Sequence, residues 1–190
     1  WSDPGLFYGS THQMPLYPGS GAANETGVGN IFNAPLRAGD GSVQFRDAMR
    51  SIILPALDDF APDLVLISAG FDAHHADPLG SLQLSEEDFA WATLELMGAA
   101  DAHSQGRVVS VLEGGYDLQG LAASVAIHVQ ALMRGTDALD QDDDEDDEDD
   151  QPDDVIALHG IVADRFDHVA GIGSGQDQPR RGNVEREPKQ

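Results

Sequence analysis

The stretch DLVLISAGFDAHHADPLG, Asp63–Gly80, decides how the rest of the chain is read. Its first part is a short apolar run bounded by Pro62 and Gly70. A run of this length without polar alternation reads as a strand buried on both faces, and such strands belong to parallel sheets. Two aspartates and two adjacent histidines follow it directly. Parallel α/β sheets bind ligands beyond the carboxyl ends of their strands. Asp72, just after this strand, therefore stands where a site is expected.

On the C-terminal side a helix has a clear start. Ser85 is read as its N-cap, Asp88 takes the capping-box position, and Leu84 can pack on Phe89 as a staple. Its apolar face is expected to run through Phe89, Leu94 and Met97. RVVSVLE, Arg107–Glu113, reads as a second buried strand, and GGYD after it as a sharp loop. A last helix, about Leu118 to Met133, is expected to bury Leu121, Val125, Val129 and Leu132 and to stop at Gly135. On the N-terminal side Ser42 is read as the cap of a helix. Phe45, Met49, Ile52, Ile53, Ala56, Leu57 and Phe60 recur there at helical spacing. Pro55 should kink or break that helix. Residues 1–40, with YPGSGAANETGVGN, read as a long loop. The order helix, strand, helix, strand, helix predicts an α/β layered fold with a parallel sheet. No internal repeat is visible.

The 190 residues are 41% apolar, enough for one packed domain over part of the length. There is no cysteine, so disulfides, thiolate metal sites and a cysteine nucleophile are excluded. The same fact fits a reducing, cytoplasmic setting. About half of the net charge of -24 lies in DQDDDEDDEDDQPDD, Asp140–Asp154. Such a block repels itself, and residues 136–190 are expected to be a mostly disordered acidic tail following a domain over residues 1–135. The tail is either a solvated segment or a binder of basic partner proteins. No basic stripe is present to neutralise phosphates, so direct nucleic-acid binding is not expected. No apolar run reaches membrane-spanning length. WSDPGLFYGS does not have the pattern of a secretory signal.

Two positions carry the chemistry. Asp72 follows the first strand and Tyr116 the second, so neighbouring strands would turn both toward one pocket. On residues alone, Asp72 is either a loop or capping carboxylate or a metal ligand. Tyr116 is either a half-buried packing residue or a phenol donor. Asp77 is read as holding the DPLG turn through backbone hydrogen bonds, Glu113 as structural, and His12 as a packing or hydrogen-bonding residue. His103, His128, His159 and His168 show no ligand spacing and are read as structural or solvated.

SAGFDAHHADPLG, its capped helix and VVSVLEGGYDL with the closing helix resemble the C-terminal half of a zinc-dependent histone deacetylase domain. The likeness is closest to the class II type, which includes acetylpolyamine amidohydrolases and bacterial histone deacetylase-like amidohydrolases. YGSTHQMPLYPGSG resembles that family's loop between its zinc motif and its substrate tunnel. The resemblance covers roughly residues 1–134. It implies part of a three-layer α/β/α sandwich of the arginase/deacetylase kind and hydrolysis of the acetyl amide of acetyl-lysine or acetylpolyamines.

It also implies a role for each matching position. Asp72 corresponds to a zinc ligand, and Tyr116 to the catalytic tyrosine that hydrogen-bonds the substrate carbonyl and then the oxyanion. Tyr17 and Leu79 correspond to tunnel walls. Gly114 and Gly115 let the substrate pass close to the backbone. Ser10 corresponds to a position that helps to bind a potassium ion. In this family a zinc-bound water attacks the carbonyl carbon, and the tyrosine stabilises the charge that develops.

A catalytic zinc normally has three protein ligands. The family draws two of them from a D-x-H-H-G-N-G-T motif and its general base from a His-His pair, and neither motif occurs in these residues. His74 and His75 are read as a variable rim loop rather than a substitute pair. The chain is therefore expected to be a fragment lacking the N-terminal half of such a domain, and inactive or nearly so unless a second chain supplies that half. Association through the open sheet edge is expected as well. The rival expectation is a non-catalytic interaction module acting through the acidic tail.

Overall fold

In the computed structural model, residues 2–134 and 161–164 are described. Ten segments follow one another: β1 (Leu6–Gln13), β2 (Ile31–Leu36), α1 (Ser42–Ala48), a π-helical turn (Met49–Ile53), α2 (Leu54–Phe60), β3 (Leu64–Ala69), α3 (Glu86–Ser104), β4 (Val108–Leu112), α4 (Leu118–Arg134) and β5 (Ile161–Asp164). The strands form one sheet in the order β2-β1-β5-β3-β4. β1 and β2 run parallel, as do β3 and β4. β5 lies between the two pairs and is antiparallel to both neighbours.

The predicted alternation of helices and strands over residues 42–134 is present, and so is the parallel β3/β4 pair. Several details differ. Residues 1–40 are not one loop: they hold β1 and β2, which leave the connection Met14–Asn30 between them. Gly9, Ser10, Asn33 and Pro35 obscure these strands in the sequence. Pro35 is tolerated because β2 is an edge strand, where a missing N–H costs no ladder bond on the open side. Helical structure continues through Pro55. The chain widens into the π turn just before it and continues with Pro55 in the first turn of α2, where no helical N–H is required. The extra residue shifts the register. Phe45, Met49, Ile53 and Leu57 face inward, while Ile52, expected inside, is exposed.

The strands are buried on one face only. Val65, Ile67 and Ala69 of β3 are sealed, whereas Leu64, Leu66 and Ser68 between them are half-buried. In β4, Val109 and Val111 are exposed. The helices pack on the first face, and among the described residues no helix layer covers the second. The core joins Phe7, Phe45, Ile53, Ile67, Phe89 and Leu96, each contributing about 1.5–3 kcal/mol by burial.

The α3 capping box forms, with Asp88 accepting the Ser85 N–H at 3.1 Å. The fully buried Asp88 also accepts from the Ser42 hydroxyl and from Arg46 Nε–H at 2.8 Å, so it ties α1 to the start of α3. Arg46 and Arg50 stack on Trp91 beside it. The inward face of α3 is Phe89, Ala92, Leu96 and Ala100 rather than Leu94 and Met97. In α4 the fully buried stripe is Gly120, Ser124, His128 and Ala131; of the predicted residues, Leu121 and Val125 are half-buried and pack against the core, Leu132 is half-buried, and Val129 is exposed. Small and polar residues are inside here because α4 packs closely on α3. The acidic tract, Gly135, His159 and His168 lie outside the described residues. Ile161–Asp164, expected to be disordered, is a strand.

Candidate functional site

The site is built where β3 and β4 end side by side. Their ladder continues into the loops: Glu113 N–H donates to Ala69 O, and Phe71 N–H donates to Gly114 O, each at 2.7 Å. This brings the loop bearing Asp72 against the loop Gly114–Tyr116. A Cβ on Gly114 would lie 2.7 Å from Cγ and Oδ2 of Asp72, so only glycine lets the carboxylate and the backbone come this close. Gly115 has φ +134°, and a Cβ there would strike Leu121 and Phe71. Gly80 closes the other side, against the carbonyl of Asp72.

A cavity of about 660 Å³ opens at this end of the sheet, on the face away from the core. Asp72, Glu113, Ser10, His12, Asn33 and Tyr17 are among its walls. Oδ1 of Asp72 is buried. Ser10 donates to His12 Nδ1 and His12 Nε2 to Gly21 O, both at 2.9 Å, so His12 is held by hydrogen bonds as expected. Tyr17 is 98% exposed at the mouth. Leu79 and Tyr116 are exposed and do not line the cavity, and Tyr116 is 55% exposed. The structure thus joins Asp72, Tyr17 and Ser10 in one cavity and sets Gly114 on Asp72, with Leu79 and Tyr116 outside it.

Glu113, structural by the sequence expectation, follows the last residue of β4. It stands on the open face and accepts from Ser68 Oγ at 2.5 Å. Ser68 pairs with Val111, which makes Glu113 its diagonal neighbour on the same face. The legible signal was its period-2 spacing with Val109 and Val111 immediately before the glycines.

His74 departs from the expected rim loop, whereas His75 is exposed as expected. His74 is not on the rim: it is 4% exposed, beneath Gly120. His74, His75 and Glu86 are the group among the described residues whose ligand atoms lie close enough to share a metal ion. The hydrogen bonds favour another role. Ala76 N–H donates to His74 Nδ1 at 3.2 Å, which leaves Nε2 to carry the ring proton and donate to Glu86 at 2.6 Å. Both nitrogens are therefore committed, and the histidine fastens the loop to the first turn of α3. His75 is exposed and bonds the Leu84 carbonyl. Asp72 is not part of this group.

His128 is structural, as read. It lies between Thr93 Oγ1 at 2.9 Å and Ser110 Oγ at 2.7 Å, and burial lowers its pKa to about 4. His103 pairs with Asp58 at the surface.

With this geometry in hand, the match of the histone deacetylase domain model to residues 1–132 decides the family. The chain belongs to the histone deacetylase family. It is 40% identical over 137 residues to "Histone deacetylase 10, chloroplastic" of Oryza sativa, covering 70% of this chain and 31% of that protein. It is 38% identical over 141 residues to "Probable deacetylase" of Archaeoglobus fulgidus, covering 72% and 39%. Among solved structures, the histone deacetylase Clr3 superposes with a TM-score of 0.65 at 33% identity, covering 70% of this chain and 24% of that one. The HDA15 HD domain gives 0.63 at 34% identity, covering 68% and 37%. The chain thus spans well under half the length of these deacetylase relatives. The likeness confirms the α/β arginase/deacetylase fold predicted from the sequence. Among the described residues no helix is long and apolar enough to cross a membrane.

Proposed function

We propose that this chain carries the C-terminal part of a zinc-dependent amidohydrolase centre that removes acetyl groups from acetyl-lysine or acetylpolyamines. The observation that carries the reading is the Asp72 carboxylate pressed against Gly114 at the ends of two adjacent parallel strands, two residues before Tyr116. Asp72 would be the one zinc ligand drawn from these residues, and the metal when bound would polarise the amide carbonyl and activate water. Tyr116 would donate its phenol to the carbonyl oxygen as negative charge develops there. Gly114 and Gly115 keep the backbone low enough for a substrate stem to pass. Tyr17 at the cavity mouth and Leu79 on the outer loop are its proposed apolar walls. The potassium role of Ser10 rests on the resemblance alone. Absence of cysteine supports a reducing, cytoplasmic setting, while the rice relative bears the word chloroplastic in its name.

The remaining zinc ligands and the general base would come from a polypeptide segment bearing the D-x-H-H motif, joined to this chain or assembled with it. The test is a protein that joins this chain behind a segment bearing the D-x-H-H motif, assayed on an acetyl-lysine peptide and on acetylated polyamines. Deacetylation should appear, fall at least about 100-fold in Tyr116→Phe with little change in KM, and vanish together with stoichiometric zinc in Asp72→Asn. Full turnover in Tyr116→Phe, or equimolar zinc retained in Asp72→Asn, would refute the proposal.

A further inference from the structure

Asp77 is 6% exposed and belongs to the turn that follows the Asp72 loop. Its two carboxylate oxygens have different partners. Oδ1 accepts from Leu79 N–H at 2.9 Å and Gly80 N–H at 3.3 Å, the turn-holding role legible in DPLG. Oδ2 crosses to the other loop and accepts from the backbone N–H of Tyr116 at 2.7 Å, 39 residues away. The Asp77 N–H is bonded to His74 O at 2.9 Å, so the carboxylate stands on a fixed base. His74 in turn is held by Glu86 and Ala76. Tyr116 has a single backbone donor, and it follows Gly115, which at φ +134° and without a Cβ does little by itself to hold the loop in one backbone state.

From this geometry we propose that Asp77 is a positioning residue for Tyr116: its Oδ2 clamps the Tyr116 amide and fixes the approach of the phenol relative to Asp72. The proposal rests on the reading of Tyr116 as the carbonyl-facing donor. The same carboxylate holds Gly80, which abuts the Asp72 carbonyl, so one side chain sets both halves of the centre. A charged acceptor suits the task because its hydrogen bonds are shorter and about twice as strong as neutral ones. Asparagine cannot replace it. One amide oxygen would serve the two donors of the turn, and the amide NH2 would then face the Tyr116 N–H, donor against donor.

The experiment follows amide hydrogen exchange in the full 15N-labelled chain and in Asp77→Asn. Leu79 and Gly80 should keep their protection, while the Tyr116 amide should exchange at least about tenfold faster and lose its downfield shift. If Asp77→Asn does not fold, the wild type decides. A through-hydrogen-bond scalar coupling between the Tyr116 amide nitrogen and the Asp77 carboxylate carbon supports the clamp, and its absence overturns it. Unchanged exchange at Tyr116, or equal loss at all three amides, would also overturn it, since Asp77 would then serve only its own turn. In the joined, active protein Asp77→Asn should lower kcat with KM nearly unchanged. Loss of the amide bond with unchanged kcat would keep the clamp but remove the catalytic reading of Tyr116, so the two failures are distinguishable.

Discussion

Gly120 lies in the first turn of α4, where alanine would favour the helix by about 1 kcal/mol. A Cβ there would sit 2.7 Å from Nδ1 of His74, a buried ring held by hydrogen bonds at both nitrogens. Forcing such an overlap costs about 1–3 kcal/mol, so the contact outweighs the propensity. Gly120→Ala should lower the urea midpoint, and adding His74→Ala to that variant should recover part of the loss as a positive coupling in the double-mutant cycle. Additive effects would mean that the ring and the helix do not touch in solution. His74 and Gly114 illustrate how much of the site was legible. The sequence marks Asp72 and Tyr116 because each follows an apolar strand in a recognisable frame. It does not mark which glycine must stay bare or which histidine is sealed, because those facts depend on the distance between segments far apart in the chain.

His128 joins three elements: Thr93 on α3, Ser110 on β4 and its own helix α4. Thr93 Oγ1 donates to Phe89 O at 2.7 Å, so the imidazole donates to Thr93 and accepts from Ser110. Burial lowers the histidine pKa from 6.5 to about 4. The unfolded chain therefore takes up a proton that the folded chain refuses. This contribution to stability is complete above about pH 6.5 and is lost as the pH falls toward 4. At about 1.4 kcal/mol per pH unit, and allowing for residual solvent access, the loss is on the order of 2–3 kcal/mol. Urea midpoints measured across that range should fall in the wild type and fall less in His128→Gln, which cannot take up the proton. Equal slopes would show that carboxylate titration alone governs the acid limb. Such a network escapes periodicity arguments: Ser124, His128 and Ala131 are inside and Val129 outside, because close packing on α3 leaves no room for larger side chains.

At the scale of the whole molecule, the sheet has helices on one face, and β5 is its antiparallel insert. β5 pairs with Leu6–Gly9 of β1 and with Leu64–Ile67 of β3. A chain ending after Arg134 would leave both rows of backbone groups unpaired. At about 1 kcal/mol net per hydrogen bond, truncation should cost on the order of 2–4 kcal/mol and should increase self-association through the exposed strand edges, seen in sedimentation velocity. Unchanged stability and association would show that β1 and β3 do not depend on this strand.

The sequence by itself determined the α/β order from Ser42 to Arg134 and the placing of Asp72 and Tyr116 just beyond the ends of two neighbouring strands, where the proposed chemistry would sit. These are local properties: apolar run length, capping residues and glycines at strand ends. The tertiary structure decided the rest. It placed β1 and β2 where turn residues had hidden them, carried the helix through Pro55 by a π turn, and, among the described residues, left the second face of β3 and β4 without a helix layer. It also joined Asp77 to Tyr116. Each of these depends on which segments meet in space, and a hydrogen bond between residues 39 positions apart leaves no periodic trace in the chain that makes it.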